Sequence, residues 1–379
     1  MWHKRSITKI AFKLHGWLGL SAGIFFVLFG VTGSMLMFRQ DLDRHFNPEL
    51  HVLKTASHQV SVDQIYRMLV RTHPNLKKIV LHDFPADAHD SYEFMLYKNQ
   101  QNITENYLYY VFVDPYNGKI LKEGSYQDFS PSFLRWLYSF HYSLQLGFPG
   151  KLFTAIIGLV MLLSLITGTI IYRKHFWDAL RFKAGLNFKN RRTAVSALHR
   201  LIGVWSMLFT AVLFFTGFWL NIDQFKPISW QLYQPHQNTL VKANIDDLIK
   251  RSIKTVPGFK PIAVNIPADG DQEVLVRGSM PNTPFFLLQG KPSGILFDGE
   301  SGRLKIIKHI NNQPFATRFN WEVYQLHIGA FGGDFIKWLY VILGLMPGIL
   351  SVTGALLWLR KRKRNANRNH NKIYPVKTA

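Results

Sequence analysis

Four long apolar stretches divide the chain, and they fall into two pairs that repeat at an interval of about 184 residues. The stretches cover residues of about 15 to 38, 151 to 172, 199 to 221 and 335 to 359. Each is long enough to cross a bilayer as a helix, which takes about 20 mostly apolar residues. Because the whole pattern occurs twice, we predict an α-helical membrane protein whose four transmembrane helices form a bundle built by tandem duplication.

Histidines occupy matching positions in the two copies. The segment LHGWLGLSAGIFFVLFGVTG, which begins at residue 14, aligns without gaps with LHRLIGVWSMLFTAVLFFTG, which begins at residue 198, and this pairs His15 with His199. His141 and His327 lie just before the second and fourth stretches, each at the same distance ahead of a Thr-Gly. Since the copies have the same orientation, a pseudo-twofold axis along the membrane normal is expected to bring matched histidines face to face.

The long segments between the apolar stretches also repeat. Asp63 matches Asp246, and the turn that begins at Asp114 matches the one at Asp298. SVDQIYRMLVRTHPN has helical apolar spacing, whereas LYYVFVD and GILFD are β-rich runs that precede glycine-containing turns. We therefore predict two small α+β modules of about 110 residues, each large enough for its own core.

Most of the net charge of +22 lies in three short segments. Residues 1 to 14, 173 to 200 and 360 to 379 contain 4, 8 and 8 Lys or Arg residues against the single acid Asp178, which leaves +19 there. Short basic loops stay in the cytoplasm, so both termini and the middle loop are predicted inside. Because this placement accounts for the charge, the lipid bilayer is an expected partner and nucleic acid is not.

The predicted organisation follows from these boundaries. It comprises a cytoplasmic N-terminus at 1–14, transmembrane helices at 15–38, 151–172, 199–221 and 335–359, outer modules at 39–150 and 222–334, a basic cytoplasmic loop at 173–198 and a basic cytoplasmic tail at 360–379.

The chain contains no cysteine, so metal chemistry must use histidine or oxygen ligands. Two neutral imidazoles that converge from opposite helices form a bis-axial site for an iron porphyrin. We therefore predict two b-type haems, one bound by His15 and His199 near the inner face and one bound by His141 and His327 near the outer face. A single histidine at a helix end is more often an interfacial residue, but four in register favour a cofactor site.

Further residues near the histidines are candidates for contact with the haems. They are Arg39, Arg135, Arg318 and Lys13 for the propionates, and Tyr138 and Tyr324 for the walls of the outer site. Basic and aromatic residues at a membrane interface also serve as lipid anchors, which is the alternative interpretation of these positions. His51 and His236 pair only through loops and are weaker candidates for substrate contact.

These motifs resemble the PepSY-associated transmembrane helix family of bacterial inner membranes. The resemblance is carried by the LHxxxG…TG helices at His15 and His199, the YxxHxxxxxG…TG segments at His141 and His327, and the D-x-x-x-G-[KR] turns at Asp114 and Asp298. It covers nearly all of the chain, and among characterised activities it is closest to siderophore-iron reductases. It implies that the outer modules are PepSY-like and periplasmic, and that a ferric siderophore is the electron acceptor.

Together these points predict a ferric-siderophore reductase that conducts electrons across the inner membrane to release Fe(II) for iron uptake. The chain has no glycine-rich dinucleotide motif, so an unidentified cytoplasmic or quinol donor must supply the electrons. The alternative is a non-redox membrane protein whose outer modules bind or regulate a peptidase or sense a periplasmic ligand. Transport through the bundle is the least favoured hypothesis, because the four stretches contain almost no carboxylate.

Overall fold

The computed structural model describes residues 2–50, 52, 55–56, 58–85, 87–98, 107–183, 190–230, 237–270 and 272–373. The helices are α1 Trp2–Ser21, α2 Gly23–Leu36, α3 Arg39–Phe46, α4 Val62–Thr72, α5 Phe133–Ser143, α6 Gly147–Tyr172, α7 Phe176–Leu180, α8 Arg191–Trp205, α9 Met207–Leu220, α10 Ile245–Thr255, α11 Phe315–Ile328 and α12 Gly333–Ile373. The strands are β1 Leu76–Leu81, β2 Tyr92–Lys98, β3 Tyr107–Val113, β4 Ile120–Ser125, β5 Lys260–Pro267, β6 Glu273–Ser279, β7 Ser293–Asp298 and β8 Leu304–Lys308.

The chain forms two compact units. The helical unit comprises Met1–Met37, Thr154–Trp219 and Gly332–Ala379. The sheet unit comprises Phe38–Phe153 and Leu220–Phe331. Each unit therefore draws on both copies of the repeat.

Two helices of the described chain are long and apolar enough to cross a membrane, namely α6 and the Gly333–Arg364 part of α12. The first and third predicted spans are instead broken helices: the α1–α2 pair bends by 57° and the α8–α9 pair by 65°. With each bent pair counted as one span, the total is four. At both breaks a serine hydroxyl, that of Ser21 or Ser206, bonds to a carbonyl one turn earlier, an arrangement that bends helices.

Within the helical unit, helices of one copy pack against helices of the other. A Cβ on Gly30 of α2 would lie 2.8 Å from the carbonyl oxygen of Gly344 on α12. The Ser351 hydroxyl donates a hydrogen bond of 2.9 Å to the carbonyl of Gly23. A Cβ on Gly158 of α6 would lie 3.2 Å from the backbone of α9. Small residues allow these backbones to approach closely, as is typical of membrane helices.

The sheet unit contains one antiparallel sheet of eight strands in the order β4-β3-β2-β1-β5-β6-β7-β8. The two copies meet at β1 and β5, where Ile79 pairs with Ile266. The α+β modules expected from the sequence are present, but they do not have separate cores. Helices α4 and α10 cover one face, and a single apolar cluster contains buried residues of both copies, including Tyr66, Phe94, Leu248 and Phe297. Joining the sheets buries the inner edge strand that each copy alone would expose.

Reciprocal helix caps also join the two copies. The Asp246 carboxylate accepts hydrogen bonds of 3.0 Å from the backbone amides of Val62 and Asp63 at the start of α4. In return, the Asp63 carboxylate accepts one of 3.1 Å from the amide of Ile245 at the start of α10. The repeated aspartates noted in the sequence therefore satisfy the free amides of each other's helix.

Candidate functional site

The inner histidine pair lies within the helical unit. His15 on α1 and His199 on α8 have ring centroids 6.3 Å apart, with an angle of 78° between the ring planes. Both side chains are half-buried. The structure thus brings together the two residues that the repeat had matched.

The Nδ1 atom of each inner histidine has a partner on the long apolar helix of the same copy, α6 for His15 and α12 for His199. His15 Nδ1 donates to the carbonyl oxygen of Ser164 at 2.9 Å, with the Thr167 hydroxyl at 3.3 Å. His199 Nδ1 lies 2.8 Å from the Thr353 hydroxyl, which itself donates to the carbonyl of Ile349 and so accepts from the ring. Both rings therefore carry their proton on Nδ1, which leaves the Nε2 lone pair free to bind a metal.

A glycine beside each threonine makes room for the ring. A Cβ on Gly168 would lie 3.1 Å from His15 Cε1, and one on Gly354 would lie 3.4 Å from His199 Cε1. The Thr-Gly pairs at Thr167 and Thr353 thus position and seat the inner histidines. In the sequence these Thr-Gly pairs serve only to align the two copies, and their exact recurrence is the signal that points to this role.

The outer histidine pair lies within the sheet unit. His141 on α5 and His327 on α11 have ring centroids 6.2 Å apart. Both occupy the last turn of a helix that ends in a left-handed residue, Leu144 with φ 51° or Gly329 with φ 62°. Burial, reinforced by the neighbouring His327, lowers the pKa of His141 to about 3, and burial lowers the pKa of His327 to about 4. Both rings are therefore neutral at pH 7.

The spacing of both pairs can be compared with the geometry of a metal bound by two imidazoles. With metal-to-nitrogen distances of about 2 Å on each side, opposed rings have centroids about 6 Å apart. The observed 6.3 and 6.2 Å fit this arrangement. No group of three or more His, Cys, Asp or Glu side chains in the described residues is arranged to hold a metal ion. Two protein ligands suffice for haem, because the porphyrin supplies the other four.

Arg135 differs from the role suggested by its sequence position. Its guanidinium is buried and pairs with Asp43 at 2.6 Å and with Glu93 at 2.5 Å. Burial alone would raise the pKa of Glu93, but the charge of Arg135, with smaller effects from His82 and Arg39, lowers it to about 2. Two edges of the guanidinium are thus bonded to protein carboxylates, which favours a structural role over contact with a propionate.

The other candidates for cofactor contact occupy varied positions. The Arg39 guanidinium carbon lies 5.8 Å from the centre of the Tyr138 ring. Burial raises the pKa of Tyr324 to about 12. Arg318 Nε is buried and has no hydrogen-bond partner among the described residues, so it has a donor that an anionic ligand could accept from. Lys13 is exposed on α1. His51 and His236 lie outside the described residues.

A duplicated chain with two helices long and apolar enough for a bilayer, and two bent helix pairs that meet the same criterion as pairs, is a membrane-associated protein. The chain belongs to the family described as the PepSY-associated TM region, which matches residues 12–361. It is also similar to an uncharacterised protein of Pseudomonas aeruginosa, with 23% identity over 257 residues. That alignment spans 60% of this chain and 63% of the relative. The family expected from the repeated motifs is thus confirmed.

Proposed function

We propose that the chain is a di-haem b electron conduit of the bacterial inner membrane that reduces a periplasmic ferric siderophore. In this proposal the bent helix pairs and the two long helices form a four-helix transmembrane bundle, with both termini cytoplasmic and the PepSY-like modules periplasmic. The observation that carries the proposal is the recurrence of a facing histidine pair in each unit, at 6.3 and 6.2 Å.

The four histidines are the proposed haem ligands, and neighbouring residues hold the inner two in place. A haem bound by two imidazoles exchanges single electrons and needs no catalytic acid or base from the protein. Ser164 and Thr353 hold the inner rings in the tautomer that presents Nε2. Such supporting hydrogen bonds orient the ring and strengthen it as a ligand. Of the three arginines predicted to contact propionates, Arg318 and Arg39 lack a carboxylate within ion-pair distance in the described chain, whereas Arg135 has two.

The proposed reaction transfers one electron to the ferric ion of the siderophore complex. Hard oxygen ligands bind the more highly charged ferric ion much more tightly than the ferrous ion, so reduction favours release. The electrons come from a cytoplasmic or quinol donor, and the product is Fe(II) for uptake.

The absorption spectrum of the detergent-purified chain tests the proposal. We expect a Soret band, and sharp α bands after dithionite, that correspond to two b-type haems per chain. His15→Ala and His199→Ala should each remove one haem, and His141→Ala and His327→Ala should each remove the other. His45→Ala, which changes an exposed histidine on α3, is the matched control and should keep both.

Two results would contradict the assignment. A colourless protein after expression with ample haem would favour the alternative, a non-redox protein that binds a peptidase or a periplasmic ligand. Full haem content in all four variants would show that other residues bind the iron. Reduction itself is followed by the colour of a ferrous chelator with a ferric siderophore, and His327→Ala should abolish it.

A further inference from the structure

Two cationic side chains lie on the face of the sheet opposite α4 and α10. In β1, Ile79 and Leu81 are buried in the core, so the alternation places Lys78 on the other face. In β6, Val274 and Val276 are buried in the core, and Arg277 likewise points to the opposite face. Both cations are half-buried.

These cations have aromatic neighbours but no carboxylate within ion-pair distance in the part of the chain that the structure describes. Lys78 Nζ lies 4.3 Å from the centre of the Tyr97 ring. Arg277 donates from Nε to the carbonyl of Lys291 at 3.1 Å, and its guanidinium carbon lies 5.9 Å from the centre of the Trp321 ring. The nearby Asp83 carboxylate is bonded to Lys291 and to His82. The Nη donors of Arg277 therefore remain for a ligand.

The two positive charges also act on each other. Burial lowers the pKa of Lys78, and the charges of Lys77 and Arg277 lower it further, against a weaker opposing effect of Asp269. Burial likewise lowers the pKa of Arg277. Partly buried like charges without a counter-ion are costly for the fold. Such an arrangement indicates a binding site for an anion rather than a contribution to stability.

Helix α11 carries two aromatic rings near this site as well as His327. The Trp321 ring beside Arg277 lies 5.2 Å from the Tyr324 ring, centre to centre. Tyr324 precedes His327 by one helical turn on α11, which places both on one face of that helix. The charge of Arg277 also acts on the Tyr324 phenol. An anion bound by Arg277 would thus lie beside the helix that carries an outer histidine.

We propose that Lys78 and Arg277 form the docking site for ferric chelates that carry a net negative charge, an inference that rests on the proposed reduction of ferric chelates. The site selects catecholate or carboxylate complexes over cationic hydroxamate complexes, because a cationic chelate meets like charge there. A propionate of a bound porphyrin shares this anionic chemistry, so the experiment must separate the two sources.

Equilibrium dialysis of the purified full chain with gallium(III) chelates tests the proposal. Gallium(III) is not reduced, so binding is measured independently of electron transfer. We expect anionic gallium tris-catecholate to bind more tightly than cationic gallium desferrioxamine, and more weakly as salt rises. Lys78→Gln and Arg277→Gln should each weaken the anionic probe about tenfold, the effect of losing one charge-assisted hydrogen bond. Arg71→Gln, an exposed arginine on α4, should change nothing.

Further variants separate a local effect from misfolding and from a haem contact. Arg277→Lys keeps the charge but loses the planar guanidinium, so it should weaken the anionic probe less than Arg277→Gln does, whereas a misfolded sheet would lose binding equally in both variants. The Soret absorbance should be unchanged in Arg277→Gln. Equal binding of the two gallium probes, or unchanged binding in both glutamine variants, would overturn the proposal, as would loss of haem from Arg277→Gln with binding intact. A colourless chain that still selects the anionic probe would refute the electron conduit alone.

Discussion

Replacing Thr353 with valine removes the acceptor of the 2.8 Å hydrogen bond from His199 Nδ1 and keeps a side chain of similar shape. Leu350 occupies the position in the second copy that Ser164 occupies in the first. Its carbonyl also acts on His199 but does not meet the geometry of a hydrogen bond. The ring therefore loses its main partner, and an unsatisfied buried donor costs about 1–3 kcal/mol. Loss of such a supporting contact typically weakens metal binding by about 10- to 100-fold. We expect a loss of this size in affinity for the inner haem.

The first copy provides the matched comparison. His15 Nδ1 bonds to the Ser164 carbonyl at 2.9 Å as well as to the Thr167 hydroxyl at 3.3 Å. Because the shorter bond is to backbone, it survives Thr167→Val, and the loss of affinity should stay below about threefold.

The assay measures the rate and extent of haem transfer from the reduced, detergent-solubilised chain to an excess of an apo-globin. The two haems are followed separately. Only the inner haem of Thr353→Val should transfer faster, and Thr353→Ser, which restores a hydroxyl, should reverse the effect. A loss in Thr167→Val that equals or exceeds that in Thr353→Val would refute the reasoning, since the second acceptor would then have no value.

Three further changes test other parts of the structure. Gly168→Val places carbon atoms against the imidazole, beginning with a Cβ 3.1 Å from His15 Cε1, and should reduce the inner-haem absorbance while the outer-haem absorbance stays unchanged. Glu93→Gln breaks a buried ion pair and should lower the free energy of unfolding of the sheet unit by about 3 kcal/mol, measured by hydrogen exchange at pH 7. The control Glu49→Gln changes an exposed ion pair and should lower it by less than about 1 kcal/mol. The pKa of Glu93 in the folded chain, about 2, lies below its usual 4.5. The extra stability of the wild type over Glu93→Gln is therefore complete above about pH 4.5 and is lost as the pH falls towards 2. Extra stability that persisted near pH 2 would contradict the assignment. Asp246→Ala leaves two backbone amides at the start of α4 without their acceptor and should cost about 1–2 kcal/mol, measured as faster hydrogen exchange in α4 with α5 unchanged.

The duplication, the apolar helices and the matching of the histidines all follow from the order of residues along the chain. Apolar periodicity is a local property, and an exact repeat relates equivalent positions without any knowledge of packing. For that reason His15 could be matched with His199, and His141 with His327, before their rings were seen to face each other. The family followed from the same motifs.

Which surfaces contact each other depends on long-range packing that no local pattern in the chain shows. The two predicted modules merged into one sheet because β1 and β5 bury each other's edge, and no local pattern distinguishes a shared edge from a free one. Arg135 pairs with Asp43 and Glu93, which are distant in sequence, and the charge of Arg277 acts on Lys78 from a strand that is likewise distant in sequence. Whether a charged residue is neutralised or free for a ligand depends on these long-range neighbours, since Coulomb interactions follow distance in space rather than position in the chain.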